Sequence, residues 1–363
     1  MERLSEKEWK AFPINAEFRM KKQGNVPTGA LVSNSILKDG MYPRIRVTSQ
    51  NNGINGFTNV CDDKNYRAYS NFVSMSFLGN AFYHPYTASL DMKVHCLQYK
   101  DTELNPAMGL FTVTMAERIA SGTNYGNQLS SNDLAAKQIL LPVDDKGNPD
   151  YAYMAEYVQQ KRAAMLDKYH KYVEARIAEL GELVEIPMLD EKEWDEFFIG
   201  DLFEVSRPKS RNKDDYDFGN TPFVASGALN NGVMKCCDAK QDEQLDAGNC
   251  ITVSPVDGST FYQPMDFLGR GGAGSSILML RSDWLNLYLG QFIARTVRQT
   301  CSKYTYGHMG NKDSIKRERI MLPIDDSGKP DYEYMEQYAK NMMLRKYKQY
   351  LEFVNRQNVT EVD

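Results

Sequence analysis

Two acidic doublets and one glycine run are the residues of this 363-residue chain whose types and spacing could do chemistry. The doublets are Asp144-Asp145 and Asp325-Asp326, and paired carboxylates can hold a divalent metal for hydrolysis. Each doublet sits in a run of Asp, Gly and Pro just ahead of a helix signal, where Asp and Gly make tight reversals, so both are expected to be turn residues. Gly269-Arg270-Gly271-Gly272-Ala273-Gly274 formally fits G-x-G-x-x-G. That fingerprint needs a strand before it and a helix after it. Here the strand-like run SSILML follows, so an open or hairpin loop is expected in place of a dinucleotide site. A base-flipping amino methyltransferase would need [N/D/S]-P-P-[Y/F]; no such tetrapeptide occurs, and His84-Pro85-Tyr86 lacks both the first residue and the second proline. No nuclease motif of the PD…(D/E)xK kind is evident. Six cysteines, at 61, 96, 236, 237, 250 and 301, form no C-x-x-C pair, and the four histidines never fall in a metal-ligand spacing. The expectation is a chain without catalytic residues, metal or cofactor of its own.

The bulk numbers agree with a soluble globular protein: 42% hydrophobic, 25% charged, and a length sufficient for two ordinary domains. No apolar run approaches the ~20 residues of a membrane helix. The N-terminal MERLSEKEWKAF is charged where an export signal would be apolar, and a cytoplasmic location with reduced thiols is expected. The formal net charge is −5. An acidic total argues against a polyanionic partner, but the acids cluster in DEKEWDE (190–196), while RPKSRNK (207–213) and KRER (316–319) are basic. Basic faces within an acidic total suit a chain that works inside a larger complex.

What must position any site is a sequence written twice. EKEWKAFPINAEF begins at Glu6 and EKEWDEFFIGDLF at Glu191, so Trp9 maps to Trp194, an offset of 185. Asn51-Asn52-Gly53 maps to Asn230-Asn231-Gly232, and Phe82-Tyr83-His84-Pro85 to Phe261-Tyr262-Gln263-Pro264, both at 179. ILLPVDDKGNPDYAYMAEY (139–157) matches IMLPIDDSGKPDYEYMEQY (320–338) at 181. The matches keep one order over nearly the whole chain. So long a period means two copies of a domain-sized unit, not a solenoid.

Each copy has the same grammar. Short β-like runs (72–79, 93–99, 249–255, 275–281) are separated by turn residues, with a helix expected near 105–121 and again near 283–299. After each Asp-Asp turn comes a long helix signal capped by Asp150 or Asp331. Apolar residues recur at three-four spacing: Met154, Val158, Met165, Tyr169, Tyr172, Val173, Ile177 and Leu180 in the first run, Met335 to Val354 in the second. The expected fold is α/β (α+β): target-binding globules at 1–149 and 186–330, and spacer helices at 150–185 and 331–363. The helices are expected to pair as an antiparallel coiled coil, relating the globules by a pseudo-two-fold axis. Two similar readers a fixed distance apart suit two half-sites on B-DNA, which differ because the globules differ.

Two variable globules, each followed by a long helix, with L-P-[VI]-D-D-x-G-x-P-D-Y-x-Y-M at both junctions and VSPVDGSTFYQP in the second half, resemble the specificity subunit of Type I restriction-modification systems and its Type IIB relatives. The resemblance covers essentially the whole chain. It implies two target recognition domains reading the two parts of a split, asymmetric site in double-stranded DNA. It also implies spacer helices that fix the gap and dock methyltransferase subunits, which carry the S-adenosylmethionine, with a nuclease or a fused restriction-modification chain as a further partner. A stand-alone DNA-binding regulator and an enzyme with an unrecognised catalytic centre are the alternatives. No membrane role is expected.

Base edges need hydrogen-bonding groups and phosphates need cations or hydroxyls. In the first globule these criteria select Arg44, Arg46, Ser49, Gln50, Asn51 and Asn52, then Tyr83, His84 and Tyr86, then a late loop of Asn124, Tyr125, Asn127 and Gln128. In the second they select Asn230 and Asn231, Tyr262 and Gln263, Arg270, and a late loop of Lys303, Tyr304, Tyr306, His308, Asn311 and Lys312. Arg207, Lys209, Arg211 and Lys213 form a basic arm with no equal in the first half. Asn-Gly is also a turn signal, and Tyr83 and Tyr262 are shared between the halves, which favours packing over reading. The late loops differ between the halves, as two different readers should.

Overall fold

The structure is a computed structural model that describes residues 3–360 except Ala273, with the side chains of 357–360 set aside. Residues 1–2 of the expected first globule, 361–363 of the expected second helix and Ala273 of the glycine run lie outside the described residues. The chain divides into two compact units, Met1–Tyr169 and His170–Asp363.

In the first unit, β1 (Trp9–Pro13) leads into a short α1 (Ile14–Glu17). Next come β2 (Tyr42–Ile45), β3 (Ile54–Thr58), β4 (Ala68–Ser76), β5 (Ala81–Leu90) and β6 (Val94–Leu97). These five strands form a sheet in the order β3-β2-β5-β4-β6. The run 72–79 alternates poorly because its residues are buried on both faces, as a central strand requires. The β4–β5 turn places Gly79 at φ +94, a conformation that side chains avoid. Then follow α2 (Pro106–Ile119), capped by Asn105 with Pro106 at its first position, α3 (Ser131–Ala136) with a Ser130–Asp133 capping box, and β7 (Gln138–Pro142). β7 pairs antiparallel with β1, so the start and end of the globule are stitched together.

The second unit repeats the plan with a more divided sheet. Its elements are β8 (Trp194–Phe198), α5 (Ile199–Leu202), β9 (Glu204–Ser206), β10 (Phe218–Val224), β11 (Val233–Cys237), β12 (Cys250–Val253), β13 (Thr260–Gln263), β14 (Leu268–Gly269) and β15 (Leu278–Arg281). The strands pair as β11-β10-β14 and β13-β12-β15-β9. α6 (Leu287–Cys301), capped by Asn286, α7 (Lys312–Lys316) and β16 (Arg319–Pro323) complete the globule, and β16 pairs with β8 as β7 does with β1.

Long helices follow both globules: α4 (Tyr151–Leu180) and α8 (Tyr332–Thr360). The joint between globule and helix is built from the same contacts twice. Asp150 Oδ1 accepts from Tyr153 N at 2.9 Å, and Asp331 Oδ1 from Tyr334 N at 3.0 Å. Lys7 donates to Asp150 at 2.9 Å and lies over the Tyr153 ring; Lys192 donates to Asp331 at 2.8 Å and lies over Tyr334. Trp9 Nε1 donates to Leu4 O, and Trp194 Nε1 to Leu189 O. Met154 and Met335 are fully buried in the cores of their own units, so the first turn of each helix packs on its globule.

The apolar stripe expected to form a seam is not buried throughout. Met165 is 72% exposed and Tyr172 51% exposed. Within the second unit the chain from α4 does run against α8. Tyr172 and Tyr347 meet edge to face with ring centroids 6.2 Å apart; Asn341 exchanges hydrogen bonds with Val184 N and O; Tyr334 Oη donates to Pro187 O. One side ascends from 172 to 187 while the other descends from 347 to 334, which is an antiparallel course.

Candidate nucleic-acid interface

Beneath the exposed loops lies a lock made twice. Tyr83 packs flat against Gly109 of α2, where a Cβ would come within 2.4 Å of the ring; Tyr262 does the same against Gly290 of α6, at 2.1 Å. Tyr83 Oη donates to Asn71 Oδ1 at 2.9 Å, and Tyr262 Oη to Asn249 Oδ1 at 2.9 Å. Those asparagines have φ of 51° and 47°, a left-handed conformation that Asn tolerates. Their amides then donate to Leu104 O and Leu285 O. Tyr83 and Tyr262, selected above as DNA contacts, are therefore packing residues that clamp helix to sheet.

Other selected residues are also spent inside the globules. Arg44 is 2% exposed, paired with Asp91 at 3.0 Å and donating to Leu90 O. Arg211 is 7% exposed and holds Glu243 and Asp246, so the expected basic arm keeps Arg207, Lys209 and Lys213 as exposed cations. Gln263 is buried, donating to Thr252 Oγ1 and Asn231 O. Tyr304 is buried with Gly310 against its ring. Asn311 is the α7 N-cap, its side chain accepting from Asp313 N and Ser314 N. Burial removes the first four from any ligand's reach, and capping occupies the acceptor of the fifth. Their sequence neighbourhoods gave no warning, because the partners of Arg44 and Arg211 are 32 to 47 residues away.

His84 is fully buried between Ser74 Oγ at 2.8 Å and Tyr86 Oη at 3.2 Å, so it too faces no ligand. Burial lowers its pKa to about 4, against an ordinary value of 6.5. The folded ring stays neutral where the unfolded ring takes a proton. Its stabilising effect is thus complete above about 6.5 and lost as pH falls toward 4. His95, buried and hydrogen-bonded to Leu129 O, shifts in the same direction. Urea unfolding should show the wild type losing about 2 kcal/mol from His84 between pH 7 and 5. His84→Gln should flatten that slope in part, leaving the His95 share. An unchanged slope in the variant would contradict the assignment.

The remaining selected residues are exposed or nearly so. Ser49, Gln50, Asn51 and Asn52 form one turn and Asn230 with Asn231 its counterpart; all four asparagines have φ between 48° and 57°. Asn231 also ties its turn to Tyr262 O. Arg46 is half-buried and donates to Asn34, Arg270 donates to Ser275, and Tyr86 is 38% exposed. The late loops are hairpins. Asn124 and Asn127 exchange backbone hydrogen bonds at 3.1 Å, and Thr305 and His308 do so at 3.2 and 3.0 Å. Between them Tyr125 is 78% exposed and Tyr306 80% exposed. Gln128 supports the first tip and accepts from Lys93, which also lies over Phe77. Lys93 was missed because no local spacing ties it to residue 128. In the second unit Lys303 pairs with Glu318 at 2.6 Å, while Lys312 is exposed.

Asp144 and Asp325 are turn organisers. Asp144 Oδ1 accepts from Lys146 N and Asn148 N, and Asp325 Oδ1 from Ser327 N and Lys329 N, which hold both carboxyls below the usual range. Among the described residues no group of three His, Cys, Asp or Glu could hold a metal, and no helix is long and apolar enough to cross a membrane.

Two globules with one scaffold and divergent exposed loops, each joined to a long helix, define a duplicated recognition protein. Residues 6–182 and 191–352 each match the family model of the Type I restriction modification DNA specificity domain, and the chain belongs to that family. It is 26% identical over 296 residues to the Type II restriction enzyme BgcI specificity subunit S.BcgI of Heyndrickxia coagulans, covering 79% of this chain and 83% of that one. Among solved structures it resembles the Type-I restriction-modification system S subunit from M. genitalium, at 13% identity and a TM-score of 0.49, covering 99% and 96% of the two chains. It also resembles the HsdS subunit from Thermoanaerobacter tengcongensis, at 13% identity and a TM-score of 0.30, covering 96% and 91%. The resemblance drawn from the repeat and the junction motif, to a restriction-modification specificity subunit with two recognition domains, holds.

Proposed function

We propose that each unit reads one half of a bipartite, asymmetric DNA site, and that the chain directs methyltransferase and nuclease partners to it without chemistry of its own. The observation that carries this is the contrast between interior and loop. The Tyr–Asn–Gly lock and the joint are the same in both units, whereas the hairpin residues differ, Asn124 and Asn127 against Thr305 and His308. A shared scaffold with different exposed groups is what two readers of unlike half-sites need. A non-catalytic role is supported by the use of Asp144 and Asp325, the first residue of each acidic doublet, as turn acceptors. S-adenosylmethionine is then carried by a partner. With a net charge of −5, the chain leans on those partners for much of its grip on DNA inside the cytoplasm.

Replacing residues 186–330 with the second globule of another family member should change one half of the methylated sequence and leave the other half and the gap intact. Methylome sequencing with the partner subunits present reads this directly. A change in both halves, or in neither, would refute the division.

A further inference from the structure

The two late hairpins share one residue and differ around it. Both follow directly on the helix behind the sheet: Thr123 N donates to Ala120 O, and Tyr304 N to Cys301 O. Both are tied at the base to the preceding strand turn, through Leu129 N to Phe77 O in the first unit and Gly310 N to Pro255 O in the second. That turn is drawn close by Gly79 and Gly258, where a Cβ would meet Ala120 at 2.5 Å and the Cys301 carbonyl at 2.0 Å. The base of each hairpin is therefore fixed, while its tip carries Tyr-Gly into solvent. Leaving a phenol ring 78% or 80% exposed forgoes the burial that a residue of this size normally gains. The first ring meets Phe77 edge to face, with centroids 5.9 Å apart.

Resting on the reading that each unit recognises a half-site, we propose that Tyr125 and Tyr306 make the same aromatic contact with DNA bases at their respective half-sites, and that Asn127 and His308 choose the base. A residue common to both units cannot distinguish the half-sites, so the tyrosine's work must be one that every base permits. Stacking of the ring on a base face, at a step of the duplex that is kinked open or a base that is turned out, is of that kind. The residue two places on differs, and each type has base-edge chemistry: an Asn amide can pair with adenine N6 and N7, and a His ring can donate or accept. Asn124 is not the reader, because its Oδ1 already accepts from Gly126 N at 2.8 Å and Asn127 N at 3.0 Å to hold the turn, whereas Asn127 Nδ2 gives one of its two protons to Gly122 O at a long 3.5 Å, a bond that a base edge can replace. In the second unit Thr305 occupies that place.

The test uses the complete complex with its methyltransferase subunits and duplexes carrying the site found in the host methylome. Tyr125→Ala and Tyr306→Ala should each weaken binding to the cognate duplex about tenfold or more, leave the melting temperature unchanged, and leave the methylated sequence the same. Tyr125→Phe should bind within about threefold of wild type. Asn127→His, measured on duplexes with all four bases at each position, should change the preferred base at one position of one half-site only. Wild-type affinity in both alanine variants overturns the stacking role. Equal loss on every duplex for Asn127→His, an unchanged preference, or a change in the other half-site overturns the reading role. If the wild-type complex itself shows no preference for a bipartite site, the underlying reading fails instead, and that result is separable from the others.

Discussion

Replacing Arg211 with methionine should destabilise the second unit by about 3–5 kcal/mol, the range for stranding a buried ionic partner. The guanidinium is almost wholly buried, and its nitrogens are all engaged. Nε donates to Glu243 Oε1 at 2.7 Å, Nη1 to Asp246 Oδ2 at 2.6 Å and to Gly269 O, and Nη2 to Gln244 O at 2.8 Å. Burial by itself would raise the Glu243 carboxyl, but hydrogen bonds from Arg211 and Tyr216 outweigh it and hold that carboxyl below its usual range. Methionine matches the stem but offers no donors, so Glu243 and Asp246 lose their shared cation and keep only the Tyr216 hydroxyl and backbone amides as donors. With the Arg211 hydrogen bond gone, burial pushes the Glu243 carboxyl upward. Stability in the variant should recover as the pH falls and the carboxylates take protons, and should be lost as it rises toward neutrality. Urea unfolding at pH 5 and pH 7.5 separates this from a simple loss of packing, which would not depend on pH. The salt dependence of DNA binding by the folded complex should keep its slope, because Arg211 contacts no phosphate. A slope reduced by about one would mean that it does.

A four-residue insertion in the solvent-facing middle of α4, near Met165, should widen the gap between the two methylated half-sites by about two base pairs. Four residues add ~6 Å of helix, and one base pair occupies ~3.4 Å. The half-sites themselves should stay the same, since no loop of either globule is touched. A single inserted residue should behave differently. It turns everything beyond it by ~100° relative to the first globule, while Tyr172 on Tyr347 and Arg176 on Tyr288, which all lie beyond it, keep their contacts and the second reader is presented on the wrong side. That variant should lose stability or binding without gaining a new spacing. Methylome sequencing of both variants with partners present decides the matter. An unchanged gap after the four-residue insertion would mean that α4 is not what sets the distance.

Much of the architecture was legible because it depends on local, repeated signals. Asp150 and Asp331 cap their helices, the Asp144 and Asp325 turns close on neighbouring amides, and Asn-Asn-Gly adopts left-handed backbone in both copies. The candidate site was less legible because exposure is decided by partners far away in the chain. Arg46 and Arg44 are two residues apart and both pair with Asp91, yet the first keeps part of its side chain at the surface and the second is buried. Tyr125 and Tyr304 sit in matching loops, and only the fold tells the free ring from the one pressed on Gly310. The helices were half right for a similar reason. Periodicity marks residues able to be buried, but Met165 has the right spacing and remains exposed.

The doubled joint has a bearing on inheritance. Each globule brings its own Trp, its own Lys–Asp pair and its own capped first turn. The gene accordingly carries two closely similar stretches, coding for 139–157 and 320–338, at the two places where a break does least harm. A crossover within these stretches would exchange one proposed reader whole, keeping the frame, the Lys–Asp pair and the helix cap at the seam. A lineage carrying this chain could thus acquire a new target in a single recombination, without passing through a misfolded intermediate.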